Sequence, residues 1–72
     1  MRPADRTGQA YLSPQGFLYV VVSEPWVQPF VSETEWQHDV VVFGGDAEAF
    51  TVVRRETTVA ELEHRTGWTR LA

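Results

Sequence analysis

The chain has 72 residues, a net charge of −4 and no cysteine, and 43% of it is apolar. A chain of this length makes one domain and buries only about 60% of the surface its unfolded form exposes, yet the composition is too apolar for a disordered segment. Without Cys there are no disulfides and no thiol chemistry, and an acidic balance argues against general nucleic-acid binding, which rests on phosphate neutralisation by Lys and Arg.

All six basic residues are Arg, and Lys, Ile and Asn are missing. Loss of residues with A/T-rich codons points to a high-GC bacterium or one of its phages. The longest apolar run, Phe17 to Val22, is far shorter than the roughly 20 residues that span a bilayer. No charged-then-apolar signal opens the chain. These features read as a cytoplasmic protein.

In chain order, residues 1–8 are polar, carry Pro3 and Gly8, and read as a flexible tail. Residues 9–72 form the single domain. Gln9 to Leu12 suits a short strand. Ser13-Pro14-Gln15-Gly16 has Pro and Gly at the second and fourth positions of a type I turn. Phe17 to Val22 is apolar on both alternating faces and predicts a central strand.

Residues 24–36 differ in kind, with Pro25, Trp26, Pro29, Phe30 and Trp36 among Glu24, Glu33 and Glu35. The prolines argue against a central strand and for an extended loop. Long loops in small domains tend to be functional, and Trp dominates interaction hot spots. Trp26, Phe30 and Trp36, with the acids Glu33 and Glu35, are therefore the candidate partner-binding residues. The competing role is as lids over the ends of a small barrel, which suits Trp36 best because it abuts a strand.

The centre of the chain is a hairpin over 39–55. Val40 to Phe43 is a strand suited to cover on both faces. Gly44-Gly45-Asp46 tolerates the positive φ of a wide turn. Phe50 to Val53 resumes the apolar pattern. Beyond it, Thr58-x-x-Glu61 reads as a capping box that opens a short helix, Val59 and Leu62 share its apolar face, and Gly67 ends it. Trp68 packs on the sheet, and residues 68–71 supply a closing edge strand.

Catalytic and metal constellations are sparse. Glu61-x-x-His64 has the spacing of one carboxylate–imidazole pair, but dimetal bundles need two such pairs and more carboxylates. His38-Asp39 has no other His nearby in sequence. No Ser lies in a nucleophile elbow, and Gly44-Gly45 is too short to cradle phosphate beside Asp46 and Glu48. Arg54 and Arg55 point to opposite faces of a strand and predict ion pairs rather than one basic patch. The reading is of a non-enzyme without metal or cofactor.

Residues 49–72 run from Phe50-Thr51-Val52-Val53 through Thr58-Val59-Ala60-Glu61-Leu62 to Thr66-Gly67-Trp68. This stretch resembles the C-terminal end of coenzyme A transferase β subunits, over about a third of the chain. The resemblance implies an accessory subunit or fragment of a larger enzyme, and it brings no catalytic or acyl-binding motif. The same stretch is similar to the first half of a LysM carbohydrate-binding module, with one residue extra. No site residue is carried over from either.

The residues together predict a mainly β domain of the α+β kind. It has four or five antiparallel strands and one short C-terminal helix, arranged as a small barrel of the Src-homology type or as a curved sheet with the helix on one face. The function expected is protein binding or assembly through residues 24–36, or self-association into a homo-oligomer. The alternative is the accessory enzyme subunit.

Overall fold

The computed structural model describes residues 2–45 and 48–72. Among them are β1 (Ala10–Leu12), β2 (Leu18–Val21), β3 (Trp26–Gln28), β4 (Ser32–Phe43), β5 (Phe50–Arg55), helix α1 (Glu56–Glu61) and β6 (Thr69–Arg70). The strands form one open antiparallel sheet. Its path is β3-β4-β2-β1-β6, and β5 pairs with β4. No helix among the described residues is long and apolar enough to cross a membrane.

β4 is the spine. β2 pairs with Val40 to Phe43 and β3 with Ser32 and Gln37, while β5 pairs with Gln37 to Val42 on the other edge. β2 and β3 therefore lie end to end along one side of β4. The central hairpin forms as the sequence predicts, in the register Val40↔Val52 and Val42↔Phe50. Asp46, expected in its turn, lies outside the described residues. The turn after β1 also forms, with Gly16 N–H donating to the Ser13 carbonyl at 3.0 Å and Gly16 at a φ of 90°.

The core sits on one face. Val21, Val40 and Val42 are buried against Val59 of α1, with Tyr19 and Val52 packed beside them. The period-two alternation of the strands puts these residues on one side. The opposite face is open: Val22, Phe43 and Val53 are exposed. The expectation that Val40 to Phe43 is covered on both faces is thus corrected, because a single six-residue helix has only one side of the sheet to cover.

Residues 24–36 are not a long loop. Pro25 and Pro29 bracket β3 instead of interrupting it, so neither ring takes the place of a ladder N–H. From Glu33 the chain is already part of β4. Between the pairs Val21↔Val40 and Trp26↔Gln37, the connection 22–25 puts four residues against two (38 and 39), and the β3–β4 register itself shifts between Trp26 and Gln28. The connection is well bonded: Val22 N–H donates to the Asp39 carbonyl at 2.9 Å, and Asp39 N–H donates to Ser23 Oγ at 2.8 Å.

The capping box does not form either. α1 begins at Glu56, with Arg55 as N-cap and no side-chain cap bond, so Thr58 lies inside the helix. Glu56 is held by neighbours described below, and its carboxylate favours the positive end of the helix. Hydrogen-bonded turns carry the chain on to Gly67, at a φ of 85°.

Candidate functional site

The five residues singled out as partner-binding all belong to the hairpin made by β3 and the first half of β4. At its tip, Phe30 takes a φ of 69° and its ring is fully exposed, and Val31 beside it is also exposed. Glu33 is exposed and, with Pro29, Phe30 and Val31, walls a shallow recess at the tip. This is where the hairpin presents itself to solvent.

The base of the hairpin is different. Trp26 is half-buried, and its indole Nε1 has no hydrogen-bond partner among the described residues. The same holds for Oε1 of Gln37, its cross-strand neighbour. Trp36 is half-buried in a recess shared with Pro3, Arg55 and Thr57. Glu35 forms an ion pair with Arg55 at 2.5 Å. The structure thus gathers Phe30 and Glu33 at the tip, and sets Trp26, Glu35 and Trp36 nearer the sheet. Val31, not singled out from the sequence, joins the tip.

Below the hairpin runs a connected polar chain. His38 has no exposed surface. Its Nδ1 lies 3.4 Å from the Ser23 carbonyl, and its Nε2 pairs with Glu56. The other oxygen of Glu56 accepts from Arg6 Nε at 2.9 Å. Arg6 also reaches Gln9 at 3.4 Å, Gln9 accepts from the Tyr11 hydroxyl at 2.7 Å, and that hydroxyl lies 3.3 Å from Glu63. Arg70 closes the line on Glu63 at 2.6 Å. Residues 2–8, without regular structure, are joined to the sheet by Arg6, by Arg2 to Glu24 at 2.8 Å, and by Gly8 N–H to the Val21 carbonyl at 2.8 Å.

Both ring nitrogens of His38 are engaged within the fold, so the imidazole has no free edge for proton transfer to a ligand. Burial raises the Tyr11 phenol above its ordinary value, and Glu63 adds to the rise against the pull of Arg70 and Arg6. Among the described residues no three His, Asp or Glu side chains converge as a metal centre. His64 is exposed beyond α1. The sequence signal for the buried histidine was present: His38, Val40 and Val42 share one strand face.

A second feature lies on the core face. A cleft of 190 Å³ opens between α1 and the sheet. Tyr19 and Trp68 stand edge to face there at 5.0 Å and 67°, with Val59 and Leu62 beneath and Arg54 and Arg65 also lining it. The chain matches no protein-family model, no curated protein and no solved structure.

Proposed function

We propose that the chain is a non-enzymatic protein-binding or assembly module of bacterial or phage origin, which engages its partner through the tip of the β3–β4 hairpin. The observation that carries this reading is Phe30. A left-handed conformation costs a side-chain-bearing residue roughly 1–2 kcal/mol, and a fully exposed ring returns no packing energy. An apolar group held at such cost on a protruding hairpin suits insertion into a pocket on another polypeptide. Glu33 beside it fits a pocket with a basic rim. The strand order β5-β4-β2-β1-β6, with a helical turn before the last strand, also supports a partly open barrel of the Src-homology type, a scaffold suited to presenting such loops.

Native mass spectrometry of the gently isolated chain tests this reading. The wild type is expected with a stoichiometric polypeptide partner, either another protein or a second copy. Phe30→Gly is expected bare, with its fold intact by circular dichroism. A bare wild type, or a Phe30→Gly variant that keeps its partner, removes the proposal.

A further inference from the structure

We infer that the cleft between α1 and the sheet receives the Phe30 tip of a second copy of this chain, giving head-to-tail self-assembly. This rests on the tip being the binding element, and adds the identity of its receptor.

The first argument is fit of chemistry. The tip offers one phenyl ring with a carboxylate, Glu33, close behind. The cleft offers an aromatic corner, Tyr19 and Trp68, over an aliphatic floor. Its 190 Å³ is of the order that takes a single aromatic ring, since an apolar cavity of about 150 Å³ binds benzene. A third ring entering beside Tyr19 and Trp68 finds the edge-to-face contacts that aromatic groups favour.

The second argument is charge. Four of the six arginines are committed: Arg2 to Glu24, Arg6 to Glu56, Arg55 to Glu35 and Arg70 to Glu63, at 2.5 to 2.9 Å. The remaining two are Arg54 and Arg65, and both line the cleft. Among the described residues the Arg54 guanidinium donates only to the Val53 carbonyl of its own strand, at 3.4 Å, and has no ion pair. Arg65 reaches Glu61 at 3.6 Å, an exposed pair of the kind that contributes little. In a chain of net charge −4, the two least engaged cations therefore flank the cleft that holds the Tyr19–Trp68 pair. They answer the carboxylate of Glu33, which has no ion pair among the described residues.

The tip and the cleft are different surfaces of the same molecule, so the contact is heterologous. It propagates until it closes into a ring, or continues as a filament. A single inserted ring makes a small interface, so association is weak between two copies and is strengthened by closure.

Complementation by sedimentation equilibrium tests the inference. The wild type is expected to gain mass with concentration. The tip variant Phe30→Gly and the cleft variant Arg54→Glu/Arg65→Glu are each expected to stay monomeric. An equimolar mixture of the two is expected to stop at the dimer, since it holds one working tip and one working cleft. Adding Glu33→Arg to the cleft variant is expected to restore growth beyond the dimer. Should the double charge reversal unfold the domain, Arg54→Gln/Arg65→Gln replaces it, with at least a tenfold weaker association expected. A wild type that stays monomeric, a mixture that stays monomeric, or variants that assemble like the wild type would each overturn the inference. If the purified wild type is monomeric while a Phe30-dependent complex survives in native isolation, the cleft is not the receptor and the tip still binds another protein. Loss of the Phe30 dependence sinks both.

Discussion

The imidazole of His38, fully buried on β4, pairs with the carboxylate of Glu56, the first residue of α1. The same carboxylate accepts from Arg6. One side chain therefore joins the N-terminal segment, the central strand and the start of the helix. A six-residue helix does not persist by itself, and it has no side-chain cap. Its first residue is set by this pairing and its buried face by Val59.

Removing one member of such a group strands the others in a poorly solvated place. Glu56→Ala is expected to cost about 2–4 kcal/mol, most of the roughly 3–5 kcal/mol available to so small a core. Urea titration should find the midpoint shifted close to zero denaturant, with a visible unfolded fraction already in buffer. Thr58→Ala, in contrast, removes no cap in this structure and should cost less than about 0.5 kcal/mol. Were Thr58 the N-cap, the loss would be about 1 kcal/mol. The ratio of the two losses locates the helix start.

Tyr11 supplies a pH dependence. Burial first, and the charge of Glu63 next, raise its phenol above the ordinary 10.0. The folded state thus holds the proton more tightly than the unfolded chain does. That contribution to stability is fully present below pH 10 and is lost as the pH rises through the folded value. Urea midpoints measured from about pH 8 upward should fall beyond about pH 10. Tyr11→Phe should flatten that part of the fall, while losing about 1 kcal/mol at neutral pH for the bond to Gln9. An unchanged alkaline slope would remove the assignment to Tyr11.

These networks explain which parts were legible in the sequence. Val40 to Phe43, Phe50 to Val53 and the Pro14–Gly16 turn announce themselves through local pattern, and they appear where the pattern puts them. The hairpin at 26–36 was obscured by Pro25 and Pro29, which read as breakers although they only bracket a strand. Its better signal was the alternation from Glu33 to His38, with Trp36 and His38 on one face. The capping box failed for a different reason. Thr58 and Glu61 have the right spacing, but a long-range partner, His38, fixes Glu56 two residues earlier, and no local rule contains that contact. Phe30 and Glu33 were visible as residue types; their position at an exposed tip depended on strand pairing.

Gly44 follows β4 at a point where the ring of Phe17 lies against the backbone. A Cβ added there would land on that ring, well inside van der Waals contact. The clash is with the end of a side chain, so Phe17 swings away and gives up its cover of the strand end. Gly44→Ala is expected to cost about 1 kcal/mol. In a Phe17→Ala background the same change should cost clearly less, giving a coupling of at least about 0.5 kcal/mol in a double-mutant cycle. Additive effects would mean that the ring does not need the glycine.

The hairpin tip allows stability and association to be separated. At a φ of 69°, replacing Phe30 with Gly removes roughly 1–2 kcal/mol of backbone strain. It adds an unfolded-state entropy cost of roughly 0.5–1 kcal/mol. Because the ring is fully exposed, no packing is lost. The expected net is a urea midpoint equal to or slightly above the wild type. Phe30→Ala keeps the strain and should sit at or below it. Both variants lose the ring, so both should lose association. This pattern, stability unchanged or raised while binding disappears, is what distinguishes a residue held for a partner from one held for the fold. A drop of more than about 1 kcal/mol in Phe30→Gly would instead mean that the ring packs within its own chain, and the tip would no longer be the binding element.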